Sequence, residues 1–259
     1  MLILISCAKL MNDTINKNGI LESYHTQFTQ PRFQKNAIEL AEHIAHFSVS
    51  ELQQKLKVND QIAQETHRNF QEFAMGEKEQ IPALFHYNGI VFRNIDPENL
   101  THEQIVYAQI HLRITSFLYG LLRPLDLIEK YRLEGKFPIK TRNVFDYWKT
   151  KLTDKLIEDV NQAGGVLCNL ASAEMKNLFD WKKVESQVEV ITPEFLTQKN
   201  GKQKTIVVYT KMARGEMTKF IIENQIKTPS KLIDFAQQTQ CELGVCNQQT
   251  IQFVKNLNN

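Results

Sequence analysis

The stretch Tyr119-Gly120-Leu121-Leu122-Arg123-Pro124-Leu125-Asp126-Leu127-Ile128, continued by Tyr131-Arg132-Leu133-Glu134, joins apolar anchors to a glycine, a proline and two arginines within sixteen residues. A solvated linker has no use for so many leucines, so this segment must bend inside a core. The run before it carries apolar residues at 105, 106, 110, 114, 117 and 118, which predicts a helix from Ile105 to Leu118. Gly120 can adopt the left-handed conformation that ends such a helix. Pro124 can open the next one, where its missing N–H is not needed. The expectation is a helix, a tight hairpin and a short second helix, with Arg123 at the bend beside unpaired backbone N–H groups.

The remaining composition is that of an ordinary folded chain. Of 259 residues, 42% are hydrophobic and 23% charged, enough for one substantial core. No apolar run approaches the roughly 18 residues of a membrane helix. Met1-Leu2-Ile3-Leu4-Ile5 has no basic leader or cleavage site and reads as a buried strand, so a cytoplasmic protein is expected. Four cysteines make no disulfide framework. Cys241 and Cys246 have poor zinc spacing without a nearby histidine, and His43 and His46 sit on a predicted solvated helix. No metal site and no cofactor are expected.

The net charge of +2 is small, but its distribution is uneven. Residues 39 to 79 hold eight acidic and four basic side chains; residues 113 to 142 hold seven basic and three acidic. Residues 199 to 219 hold six basic and one acidic. Such basic segments suit an anionic partner and equally suit solvated faces.

The pattern predicts a mixed α/β class, a single compact domain over residues 1–259 with a partly antiparallel sheet. Residues 33 to 73 read as two or three helices, with Ser50 or Asn59-Asp60 as N-caps. A short strand is expected at Ile90-Val91-Phe92, and helices at about 102 to 118 and 144 to 160. A second buried strand, Val166 to Leu170, precedes a short helix at 173 to 179. Residues 187 to 210 read as a β-hairpin around Asn200-Gly201, with Ile206 to Tyr209 in its second strand. Helices near 213 to 225 and 229 to 237 and a hairpin of 240 to 246 against 249 to 255 complete the chain.

Three groups of residues could carry function. Ser6, Cys7, Ala8 and Lys9 follow the first buried strand; Asn169, Leu170, Ala171 and Ser172 end the second. If these strands are adjacent and parallel, Ser6, Lys9, Asn169 and Ser172 converge on one crevice. Ser172 would also serve as an N-cap. Lys211 and Arg214, placed at an expected strand-to-helix junction before Gly215, would favour phosphate through charge and helix dipole. Arg123 and Arg132 suit bidentate phosphate contact, with Arg113 one helical face away, although an arginine can equally cap a helical corner. Cys7 beside Lys9 could be an activated thiolate or a small buried thiol. No catalytic residue is assigned.

The segment from Tyr119 to Glu134, Leu2-Ile3-Leu4-Ile5-Ser6 with Ala8-Lys9, Asn169-Leu170-Ala171-Ser172, and Lys211 with Ala213-Arg214-Gly215, Met217 and Phe220-Ile221-Ile222-Glu223-Asn224 occur in the order of a known family. Together they resemble the YaaA family, bacterial proteins associated with the peroxide stress response. Cys7 stands where that family usually has proline, Gly135 and Met212 where it has methionine and lysine, and Met175 where it has an aromatic residue.

The resemblance implies an unusual single-domain α/β fold and a helix–hairpin–helix module, for which Leu112 to Tyr131 is the matching segment. There Gly120 is present but Leu122 occupies the second glycine position. It also implies a non-enzymatic protein that binds duplex or branched DNA through phosphates in a basic cleft and helps limit free intracellular iron. Lys9, Arg113, Gly120, Arg123, Arg132, Lys211 and Arg214 would contact phosphate, with Ser6, Asn169 and Ser172 lining the cleft. The alternative is an enzyme acting on a nucleic-acid or nucleotide substrate, which a narrow, deep polar pocket would favour over a long open groove.

Overall fold

The computed structural model describes residues 1–14, 24, 27–76 and 79–257. β1 (Leu2–Ile5) is followed by three helices, α1 (Gln34–Ala45), α2 (Val49–Leu56) and α3 (Asp60–Met75). Ser48 caps α2, not Ser50: its hydroxyl accepts from the Glu51 N–H while the Glu51 carboxylate accepts from the Ser48 N–H. Asn59 caps α3, which ends at Gly76 in the left-handed region.

Next come β2 (Ile81–Pro82), α4 (Ala83–His86), α5 (Ile90–Ile95), α6 (His102–His111), β3 (Leu112–Ser116), β4 (Gly120–Leu122) and β5 (Leu127–Ile128). A small hairpin, β6 (Pro138–Ile139) with β7 (Arg142–Asn143), leads into α7 (Val144–Gln162), β8 (Val166–Asn169) and α8 (Trp181–Gln187). The remainder is β9 (Glu189–Lys199), β10 (Lys202–Lys204), α9 (Val207–Glu223), α10 (Phe235–Thr239), β11 (Glu242–Cys246) and β12 (Thr250–Asn256).

The class is mixed α/β. The main sheet runs β11-β12-β9-β8-β1-β3-β4, with β10 paired to β9. β1 lies parallel between β3 and β8, with Ile3 level with both Leu112 and Cys168. β1 is buried along its whole length, which its unbroken apolar run anticipates for a strand covered on both faces. One hydrophobic cluster extends from Met1 to Phe253.

The expected helix–hairpin–helix over Leu112 to Tyr131 is not there. α6 stops at His111, and residues 112 to 122 form the β3–β4 hairpin, with Ser116 paired to Gly120. All of β3 is buried, so its apolar positions satisfy a helical spacing without being helical; β-branched Ile114 and Thr115 favour the strand. Gly120 takes φ +74° in the hairpin, and a Cβ there would lie 2.9 Å from Trp148 and Leu152. Pro124 opens no helix; its carbonyl accepts from the Leu84 N–H.

A pair of short helices joined by a tight turn does occur, but earlier: α4 and α5 flank Tyr87-Asn88-Gly89. Ile90 to Phe92, expected as a strand, is therefore the first turn of α5. Likewise Ile206 to Tyr209 is not a strand. The Asn200-Gly201 turn forms, with φ of 51° and 73°, but its second strand spans only Lys202–Lys204 and α9 begins at Val207. Lys211 and Arg214 consequently lie inside a helix, not at a strand-to-helix junction.

Candidate functional site

The site forms where β1 and β8 end. Their parallel pairing delivers Ser6 to Lys9 and Leu170 to Ser172 to the same edge of the sheet, the edge where ligand loops collect in parallel sheets. The Leu170 N–H donates to the Leu4 carbonyl at 2.9 Å, which holds the second loop against the first strand. The Ser172 N–H then donates to Ser6 Oγ at 2.9 Å, and the Ser6 hydroxyl reaches Ser172 Oγ at 3.3 Å. Asn169 is buried, and its Oδ1 accepts from the Ala171 N–H at 3.2 Å; it shapes the turn from behind the wall.

The opposite wall is helical. α5 and α9 pack so closely that a Cβ on Gly215 would lie 2.3 Å from the Val91 carbonyl oxygen. Only glycine permits that approach, and it fixes Arg214 and Lys211 beside Arg93. Lys211 and Arg214 stand three apart on α9, which places both on one helix face.

Between these walls is a cavity of about 350 Å³, lined in part by Ser6, Lys9, Arg93, Arg132, Lys211 and Arg214. Phe92, Phe117, Tyr131, Leu133, Leu170 and Met175 supply its apolar side. Glu174 is the acidic side chain on the lining.

The cations differ in how free they are. Lys9 Nζ is 2.8 Å from Glu134 Oε1, and an Arg132 Nη is 3.2 Å from the same oxygen, so one carboxylate serves both. Arg132 Nε is buried without a hydrogen-bond partner among the described residues. Arg214 is half-buried, its Nε also lacks a partner, and no described residue pairs with its guanidinium. Burial lowers its pKa from the ordinary arginine value. Buried N–H donors normally find acceptors, and these two guanidinium donors have none among the described residues.

Behind the cavity is a neutral hydroxyl network. Tyr131 Oη lies 2.8 Å from Tyr87 Oη and 2.7 Å from Ser116 Oγ. Burial pushes the adjacent Cys7 thiol up to about 12, against hydrogen bonds from Phe117 and Tyr131 that lower it. Burial outweighs those hydrogen bonds and the carboxylates of Glu174 and Glu134 add to it, so Cys7 is a protonated thiol at neutral pH, not an activated thiolate.

Arg113, Gly120 and Arg123 lie outside this cavity. Arg113 Nε donates to Asp159 at 2.6 Å, and its Nη1 reaches the carbonyls of Gln109, Ile110 and Leu112, capping the end of α6. Arg32 holds the other side of the buried Asp159 carboxylate at 3.0 Å. Arg123 is tied to Asp126 at 2.9 Å, and that carboxylate also accepts from the Arg123 N–H and from Thr29.

Arg93, Glu174 and Tyr131 escaped sequence reasoning. Tyr131 was visible beside Arg132, but nothing in local spacing links Arg93 to α9. Among the described residues, no group of three or more His, Cys, Asp or Glu side chains is placed to hold a metal ion. No helix of the described residues is long and apolar enough to cross a membrane.

The family model for the peroxide stress protein YaaA matches residues 1–240. The chain belongs to the YaaA family. Its YaaA relatives include UPF0246 proteins of Bacteroides thetaiotaomicron and Bacteroides fragilis, each 52% identical over 239 residues covering 91% of both chains. A UPF0246 protein of Francisella philomiragia is 36% identical over 241 residues, covering 91% of this chain and 92% of its own. The YaaA match takes in every cavity residue and stops before the β11–β12 hairpin at the sheet edge.

Proposed function

We propose that this YaaA-family chain acts in the cytoplasm during peroxide stress by binding DNA through its phosphates, with the cationic cavity as the anchoring point. One observation carries the reading: the half-buried Arg214 guanidinium, unpaired among the described residues, shares a cavity with Lys9, Arg93, Arg132 and Lys211. Five cations against Glu174 and the shared Glu134 leave an excess of positive charge that an anionic polymer would neutralise. The α4–α5 turn, which presents Gly89 and Arg93 to the cavity, is the helical pair that supports this reading in place of the segment at 112 to 131. A contribution to limiting free intracellular iron belongs to the same proposal and is supported by the family resemblance alone.

The test is fluorescence anisotropy with a labelled duplex and a labelled four-way junction over a range of salt. Binding should weaken with a log–log slope of about −0.9 per phosphate neutralised, with little dependence on sequence. Affinity insensitive to salt, or confined to one duplex sequence, would overturn the reading. The size of the cavity favours a second reading, an enzyme for a nucleotide or nucleic-acid substrate. About 350 Å³ is within the range of small-molecule sites. Turnover of a nucleotide substrate that is lost on Lys211→Ala, with DNA affinity unchanged, would establish it instead.

A further inference from the structure

A phosphate site needs cations and N–H donors on every side, yet most of the surface of this cavity is apolar. Phe92, Phe117, Leu133, Leu170 and Met175 are otherwise buried side chains whose remaining surface lines it. The volume of about 350 Å³ is also an order of magnitude above the ~30 Å³ that one water occupies, and more than a single phosphate group requires. The charged groups are set among these side chains, Lys9 on the β1 loop and Arg93, Lys211 and Arg214 on α5 and α9.

Both walls are held in place. The Ser6–Ser172 hydrogen bonds fix one strand-end loop to the other. A Cβ on Gly89 would lie 2.7 Å from Ala8 Cβ, so the α4–α5 turn is seated directly on the β1 loop. The cavity is thus preformed, with a largely apolar lining and cations on both walls.

We infer that the cavity receives one unstacked nucleotide of a DNA strand, its base and sugar against the apolar side chains and its flanking phosphates on the cations. This rests on the DNA reading above and narrows it. An intact duplex keeps its bases stacked inside and offers only phosphates, whereas removing a base from the stack costs a few kcal/mol, least where it is already unpaired. The protein therefore discriminates in favour of unpaired positions, gaps and ends.

Two duplexes of one sequence test this, each carrying one 2-aminopurine, paired with thymine in the first and opposite an abasic site in the second. The expected result is about tenfold tighter binding of the second, the order of a small unstacking cost, with 2-aminopurine emission that rises on binding and resists acrylamide quenching. Val91→Trp, which narrows the cavity beside Phe92, should abolish the preference. Equal affinity for the two duplexes with unchanged emission would overturn the inference and leave phosphate-based DNA binding intact. So would a folded Val91→Trp protein that keeps the preference. Binding of neither duplex would remove the DNA reading itself.

Discussion

The backbone N–H of Ser172 donates to the hydroxyl of Ser6 across 2.9 Å, joining loops that follow β8 and β1, two strands far apart in sequence. Adjacent parallel strands put their following loops at one edge, and this bond locks those loops together.

Ser6→Ala removes that acceptor and leaves a partly buried N–H without its partner. The expected loss is about 1 kcal/mol, read as a fall in melting temperature of roughly 2–4 °C for a chain of this size. DNA affinity should also drop severalfold, because the loop carrying Lys9 is no longer fixed. A variant with unchanged melting temperature would show that the bond does not contribute.

Asp159→Asn tests whether Arg113 is structural. Asp159 is buried between Arg113 and Arg32, and weakening it leaves a buried guanidinium underpaired. Breaking such a pair costs about 3–5 kcal/mol, which urea denaturation would report as a lower midpoint. DNA affinity of the folded variant should stay at the native level. Native stability with lost affinity would instead place the Arg113 side of the sheet at the DNA.

The thiols give a pH dependence. Burial raises both Cys7 and Cys168 from an ordinary value of 9.0 to about 12. A pKa raised on folding contributes stability that is complete below pH 9 and lost as pH rises toward 12. Iodoacetamide at pH 8 should therefore label exposed Cys246 well before Cys7 or Cys168, as peptide mapping by mass spectrometry would show. Rapid labelling of Cys7 would contradict its assignment as a neutral thiol.

Gly215→Ala should force α5 away from α9, since the new Cβ would meet the Val91 carbonyl at 2.3 Å and Asn94 Cβ at 2.6 Å. Overpacking of this kind costs roughly 1–3 kcal/mol, and it should weaken DNA binding by separating Arg93 from Arg214. A melting curve and binding isotherm like those of the native chain would mean the helices accommodate the methyl group without moving.

The parts of the fold legible in the sequence were those with a single physical reading. Met1 to Ile5 is a continuous apolar run, Val166 to Leu170 is one broken only by Asn169 and follows Gly164-Gly165, and Asn200-Gly201 forms its turn as written. Leu112 to Leu118 misled because a strand buried on both faces leaves no period-two alternation. Val207 and Val208 misled for the opposite reason: β-branched residues suggest a strand, but both are exposed at the start of α9. Lys9, Ser6 and Ser172 could be brought together from strand ends alone. Arg93 could not, because its place depends on the α5–α9 contact at Gly215, which is tertiary.

The direct test of Arg214 as the anchor of a DNA phosphate is the affinity of Arg214→Ala for duplex DNA as a function of salt. Loss of a charge-assisted hydrogen bond is worth roughly 1.5–3 kcal/mol, so affinity should fall about ten- to a hundredfold, with a salt slope shallower by about 0.9. Removing a half-buried guanidinium that is unpartnered among the described residues should leave the melting temperature at or above the native value. A folded Arg214→Ala protein with native affinity and native salt slope would contradict the account.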